Sequence, residues 1–203
     1  MLGVILCGGQ SSRMGADKGM LKAPLPQKEG YLNDANTWAQ TAVDKISALA
    51  IPVVLSVNEK QLTDYSTIFS ARQLVTDNAA LSIKGPLSGL LSVHLQYPAE
   101  DLLLLACDMP LMETDLLKEL IAQYQTLPAD TFVFVNDGEP EPLCGIYTAA
   151  ALSGIYHSHV LSPLPKHSMK YLLEHSNTIT IPVPADKKKC FRNFNAHAEL
   201  NGL

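Results

Sequence analysis

Seven short apolar runs, with stretches of helical spacing between the early ones, restrict this chain more than any other feature. The runs cover residues 2–6, 52–57, 73–76, 102–106, 132–135, 143–147 and 178–183. Each has the length of a strand. Between them the spacing changes. Trp38, Ala42, Ile46 and Leu49 fall at three- and four-residue steps. So do Leu87, Leu90, Leu91 and His94-Leu95, and then Leu116, Leu117, Leu120, Ile121 and Tyr124. Thr114 stands where the third helix needs an N-cap. Strands alternating with helices imply parallel pairing and right-handed crossovers, which place helices on both faces of the sheet. The expected fold is therefore α/β: a three-layer α/β/α, Rossmann-like arrangement with a mostly parallel twisted sheet, spanning residues 1–203 as a single domain. Residues 22–34 and 157–169 read as loops, the first rich in Pro and charge, the second in His, Ser and Pro.

Apolar residues make up 47% of the 203 residues, enough for a full core. The longest apolar run, 102–107, is far too short to cross a bilayer. No basic stretch followed by an apolar one opens the chain, so no signal peptide and a cytoplasmic location are expected. A net charge of -5 argues against a long nucleic-acid footprint, which needs a basic face. It leaves room for a phosphate ligand, which needs only a few cations and converging backbone N–H groups. Cys7, Cys107, Cys144 and Cys190 are scattered, with no C-x-x-C, and read as reduced thiols. His157, His159 and His167 have no partner cysteines, so no zinc site is expected.

The chain opens with GVILCGGQSSRMGADKGML, residues 3–21. A strand, a glycine loop and a helix in that order are how open α/β sheets hold phosphates. Yet both common fingerprints fail. Gly9 and Gly15 are wrongly spaced for G-x-x-x-x-G-K-[ST], Ala16 stands where Lys belongs, and no G-x-G-x-x-G is present. A P-loop NTPase and an ordinary dinucleotide binder are set aside. What remains, Leu6-Cys7-Gly8-Gly9-x-Ser-x-Arg13-Met14-Gly15-x-Asp17-Lys18, resembles the signature of the nucleotide-sugar and molybdopterin nucleotidyltransferases. The Arg-Met-Gly-x-Asp-Lys-Gly form is most similar to the molybdenum cofactor guanylyltransferases of the MobA type. Four more blocks resemble that family in order: Asp77 followed by Gly85-Pro86-Leu87-Ser88-Gly89, LLLLACDMPLM, EPLCGIY and FRNFNAHAEL. The departures are specific. APLPQKEGYLNDANTW replaces a Gly-x-Pro-Leu turn, Ser56 stands where some relatives carry Asn, and Glu141 stands where His or Gln is common. NAHAEL weakens the cap of the last helix.

The resemblance implies transfer of GMP from GTP to the phosphate of molybdopterin, with Mg2+ as cofactor and pyrophosphate leaving. Two anions must meet, so positioning and charge neutralisation supply most of the rate. It implies that Leu6, Cys7, Gly8 and Gly9 border the base and ribose. Arg13 faces the β- and γ-phosphates, Lys18 neutralises the α-phosphate and Asp108 holds the metal; these three are the implied catalytic residues. Ser56, Asp77, Gly85 and Gly89 are implied nucleotide contacts, and Asn193 and Asn195 implied pterin contacts. Asp17 orients Lys18 or its loop. Molybdoenzyme-maturation proteins are implied protein partners; neither nucleic acid nor membrane is. The residues alone leave plainer roles open: a turn or N-cap carboxylate for Asp108, an Asx-turn for Asp77, and a helix start with Pro at N1 for 85–89. Asn193 and Asn195 could equally cap backbone groups. A cytidylyltransferase on the same cofactor and a non-catalytic nucleotide-binding accessory protein are the alternatives.

Overall fold

The computed structural model describes residues 1–8, 17–22 and 36–192. Gly9, Arg13, Asn193 and Asn195 lie outside the described residues, as do residues 23–35. Strands β1 (Leu2–Leu6), β2 (Val53–Val57), β3 (Leu74–Thr76), β4 (Leu102–Ala106), β5 (Thr131–Asn136), β6 (Glu139–Tyr147) and β7 (Thr178–Pro182) form one sheet in the order β3-β2-β1-β4-β6-β5-β7. Parallel pairs join β1 to β2 and β4, β2 to β3, and β5 to β7. Only β6 runs against its neighbours, β4 and β5. All the other strands therefore end at one edge, the carboxyl edge. The chain steps outward from β1 to β3 and then returns to the far side of β1 at β4. Open sheets bind ligands beyond the carboxyl ends of their strands at such a reversal.

The helices are α1 (Trp38–Ser47), α2 (Leu62–Tyr65), α3 (Pro86–Gln96), α4 (Thr114–Thr126), α5 (Ala149–Leu161) and α6 (Met169–Glu174). Successive strand residues point to opposite faces, and both faces are apolar. Ile5, Leu55 and Leu105 pack with α1 and α4, whereas Val4, Val54 and Leu104 pack with α3, α5 and α6. Each such side chain, fully buried, contributes roughly 1.5–3 kcal/mol. Thr37 starts α1 with a capping box: its hydroxyl accepts from the Gln40 amide at 3.2 Å, and the Gln40 side chain accepts from the Thr37 amide at 2.9 Å. Among the described residues no helix is long and apolar enough to cross a membrane.

Three local expectations change. The last third of the sheet is not a simple alternation, because β5 and β6 form a hairpin. Asp137 and Gly138, at φ 52° and 85°, make a tight turn of the kind that Asp-Gly favours. β6 begins at Glu139 rather than Leu143, its first half masked in sequence by Pro140 and Pro142. The stretch from 157 is not all loop: α5 runs through His157 and His159. It buries Leu152 and Ile155 but leaves Val160 and Leu161 on the surface, so apolar residues lie all round it and no stripe marks the helix. His159 is held on both nitrogens, with Nε2 at 2.6 Å from the Leu81 carbonyl and Nδ1 at 3.3 Å from the Leu164 amide. Finally, Thr114 is the first residue of α4 and Glu113 its cap. Glu113 makes no cap bond because its carboxylate accepts from Lys187 at 2.5 Å and from the Cys190 thiol at 3.5 Å. The four cysteines are free and buried, as expected for reduced thiols.

β6 also carries a bulge. Val133 pairs with Gly145 but Phe134 pairs with Glu141, so Pro142, Leu143 and Cys144 have no counterparts on β5. The buried Tyr147 hydroxyl donates to the Pro142 carbonyl at 2.6 Å and pins this irregularity.

Candidate functional site

Asp17 organises the start of the site. It caps a short 3-10 turn, Lys18–Met20, by accepting from the Gly19 amide at 2.9 Å. The Tyr65 hydroxyl donates to the same carboxylate at 3.1 Å, and Gln61 Nε2 donates to its other oxygen at 2.5 Å. Gln61 Nε2 also donates to the Cys7 carbonyl at 2.9 Å, while its Oε1 accepts from the Asn58 amide at 2.9 Å. Gln61 and Tyr65 are both buried. One buried amide thus ties the end of β1, the Asp17 turn and the segment after β2 together. Burial, followed by the nearby thiols and the Asp17 carboxylate, pushes the Tyr65 phenol far up, so it stays a donor. Asp17 thus caps the turn that begins with Lys18 and is itself held by Gln61 and Tyr65.

Lys18 follows directly and reaches across the reversal point. Its Nζ lies 3.2 Å from Asp108 Oδ2, and the two side chains are 20% and 19% exposed. Asp108 stands just past β4, where the Cys107 amide donates to the Leu6 carbonyl at 3.1 Å. Its other oxygen, Oδ1, is buried with no hydrogen-bond partner among the described residues. The turn after Asp108 is anchored by Lys45 Nζ, which donates to the Pro110 carbonyl at 2.6 Å. Burial lowers the Lys45 ammonium to about 8.

On the other side of β1, the Ser56 carbonyl accepts from the Cys7 amide at 3.0 Å and the Gly8 amide at 3.1 Å. Asp77 follows β3. Its amide donates to the Val57 carbonyl at 3.0 Å, burial raises its carboxyl, and its Oδ1 is buried with no partner. The Asx-turn role belongs to Asn78, whose Oδ1 accepts from the Ala80 amide at 3.0 Å. Among the described residues, a Cβ on Gly8 would meet nothing nearer than Asp77 Oδ2 at 3.8 Å. Gly85 opens α3 at φ 71°, with open space where a Cβ would stand. Gly89 differs from expectation. A Cβ would lie 2.3 Å from Ser56 Oγ and 3.0 Å from Leu6 Cδ2, so its smallness serves the contact of α3 with the sheet. Leu6 has its side chain in that core, leaving only its backbone at the edge.

Among the described residues, four buried polar atoms near the carboxyl edge have no hydrogen-bond partner: Ser56 Oγ, Asp77 Oδ1, Asp108 Oδ1 and Asn136 Oδ1. Each unsatisfied buried group costs about 1–3 kcal/mol, and folded proteins contain few of them. Their gathering along one edge is what a polar ligand site requires. The described residues therefore bring Cys7, Gly8, Lys18, Ser56, Asp77, Gly85 and Asp108 to one region. Sequence reasoning missed Gln61, Tyr65 and Asn136. Gln61 and Tyr65 lie in an unremarked polar stretch after β2, and no signature covers them. Asn136 precedes the Asp-Gly pair, which was the available signal.

Residues 3–179 match the family described as the MobA-like NTP transferase domain. The chain belongs to that family. It is a nucleotidyltransferase. Over 199 residues this MobA-like chain is 29% identical to a protein of Flavobacterium johnsoniae named probable molybdenum cofactor guanylyltransferase, covering 98% of this chain and 94% of that one. A molybdenum cofactor biosynthesis bifunctional protein of Synechocystis is 30% identical over 75% of this chain and 40% of its own length. Among solved structures, molybdopterin-guanine dinucleotide biosynthesis protein A from Archaeoglobus fulgidus superposes with a TM-score of 0.76, at 21% identity, covering 100% of this chain and 96% of that one. That likeness shows the shared fold.

Proposed function

We propose that this MobA-like nucleotidyltransferase moves GMP from GTP to the phosphate of molybdopterin, releasing pyrophosphate, within cofactor biosynthesis in the cytoplasm. The Lys18–Asp108 pair at the strand-order reversal carries this reading, and the names of the relatives supply the substrates. The donor set fits Mg2+. Asp108 offers a buried, unpartnered carboxylate oxygen, and Mg2+ takes one or two carboxylates with phosphate oxygens and water. Among the described residues no three ligating side chains cluster, so a cage made wholly of protein is not available there. Bound at Asp108, the ion supplies positive charge to phosphate oxygens.

The chain's own groups do the rest. The Gly8 and Gly85 segments give backbone room for a nucleotide. In this reading Lys18 turns from Asp108 toward the α-phosphate, where negative charge grows as the new bond forms. The Gln61–Asp17–Tyr65 cluster fixes the turn from which Lys18 projects, so its reach is set before substrate arrives. Arg13 takes the β- and γ-phosphates in this reading. No side chain needs to remove a proton, because the attacking phosphate is already ionised at neutral pH.

Calorimetric titration of GTP, CTP and ATP with Mg2+ tests the proposal, alongside pyrophosphate release with GTP and molybdopterin. GTP is expected to bind best, and Asp108→Ala to remove Mg2+-dependent binding and most turnover. A folded Asp108→Ala protein with wild-type turnover overturns the role of Asp108. Preference for CTP replaces guanylyl by cytidylyl transfer.

A further inference from the structure

The ligand edge does not stop at Asp108. Leu105 pairs with Cys144, so Asp108, three residues beyond Leu105, and Glu141, three residues before Cys144, leave adjacent strands at the same edge. The β6 bulge lies between Cys144 and Glu141. Bulges re-aim side chains and are common beside active sites. Asn136, the last residue of β5, donates from Nδ2 to Glu141 Oε1 at 3.2 Å. Its Oδ1 is buried and unpartnered among the described residues. Burial raises the Glu141 carboxyl, with the Asn136 bond opposing. The pair is thus rich in acceptors, half-buried and short of donors. A planar group with neighbouring N–H donors would satisfy both side chains at once. A bound cation would need further oxygen ligands, and the described residues hold no third ligating group there.

We propose that Asn136 and Glu141 form a recognition subsite for the 2-amino-4-oxopyrimidine edge of the acceptor substrate's pterin. Its ring N–H and amino group would meet the Glu141 carboxylate and Asn136 Oδ1. This rests on the transfer reading above and extends it to residues beyond the β1–β4 reversal. Guanine carries the same donor edge, so the test must separate the two sources.

The experiment titrates free pterin with the full chain, followed by pterin fluorescence, and in parallel titrates GTP with Mg2+ by calorimetry. Lumazine, which has an oxo group in place of the 2-amino group, is the comparison ligand. Wild-type protein is expected to bind pterin and to bind lumazine about tenfold more weakly. Glu141→Gln should weaken pterin binding about tenfold or more and leave GTP binding within about twofold. Asn136→Ala should weaken pterin several-fold in the same direction, and it carries the test should Glu141→Gln fail to fold. Unchanged pterin binding in folded variants overturns the subsite, as does a wild-type chain that binds no pterin at any attainable concentration. Loss of GTP binding with pterin binding retained also overturns it, assigning the edge to guanine. If GTP fails to bind the wild type while pterin binding still depends on Glu141, the subsite stands and the transfer reading falls.

Discussion

A Cβ on Gly19 would stand 2.0 Å from the Tyr65 hydroxyl oxygen, 3.2 Å from ring carbon Cζ and 3.4 Å from Asp17 Oδ1. Gly19→Ala therefore forces the phenol tip or the turn to retreat by more than an ångström. The ring has little room, being buried and stacked on Phe69 at 6.0 Å between centroids. Overpacking costs about 1–3 kcal/mol. Breaking the Tyr65–Asp17 hydrogen bond, which has a charged acceptor, adds about 1.5–3 kcal/mol. Gly19→Ala should then destabilise by about 3–5 kcal/mol, or roughly 2–4 °C of melting temperature per kcal/mol for a chain of this size. Tyr65→Phe alone loses only the hydrogen bond, about 1.5–3 kcal/mol. In the double variant the clashing oxygen is gone, and the nearest remaining contact is the ring carbon. Tyr65→Phe should thus be neutral or stabilising in the Gly19→Ala background, with a coupling of about 2–3 kcal/mol. Urea melts of the four proteins measure the cycle. Turnover should follow the same pattern, because the turn carries Lys18. Additivity within about 0.5 kcal/mol refutes the packing argument.

Lys18→Ala should lower kcat more than it weakens nucleotide binding, since α-phosphate charge grows in the transition state; a loss confined to binding, read by calorimetry against turnover, contradicts that role. Gly89→Ala should destabilise by about 1–3 kcal/mol because the new Cβ meets Ser56 Oγ, and Ser56→Gly should recover most of the loss in thermal melts. Lys45 provides a pH test. Its folded value of about 8 lies below the ordinary 10.5, so the fold disfavours the ammonium fully below pH 8 and the penalty lifts as pH rises toward 10.5. The stability difference between wild type and Lys45→Met should shift by up to about 3 kcal/mol in the wild type's favour between pH 7 and 10, and a pH-independent difference contradicts it.

The parallel core was legible because buried strands and amphipathic helices leave different periods, and β1 through α4 follow them closely. The Lys18–Asp108 encounter was legible only through resemblance, since the two residues are ninety positions apart and nothing local links them. What sequence hid had physical causes. α5 lacks a stripe because Val160 and Leu161 are exposed. The start of β6 is disguised by prolines, and its antiparallel direction was carried by Asp137-Gly138 alone. Gln61 and Tyr65 matter through one buried carboxylate, a three-dimensional coincidence that spacing cannot encode. Gly89 was an implied nucleotide contact, but where its Cβ would stand the space is filled by Ser56 and Leu6.

The β5–β6 hairpin has a consequence for how positive helix ends are distributed along the groove. A parallel crossover there would have brought a helix amino terminus, with its partial positive charge, to the far half of the groove. Instead a two-residue turn occupies that position, and α5 starts at the opposite side of the sheet, capped by Thr148. The amino termini of α1, α3 and α4, which do face the groove, all follow strands on the β3–β4 side. Helix partial charge is therefore lopsided: among the described residues these three amino termini, which favour an anion, all lie on the β3–β4 flank, and the hairpin turn has none.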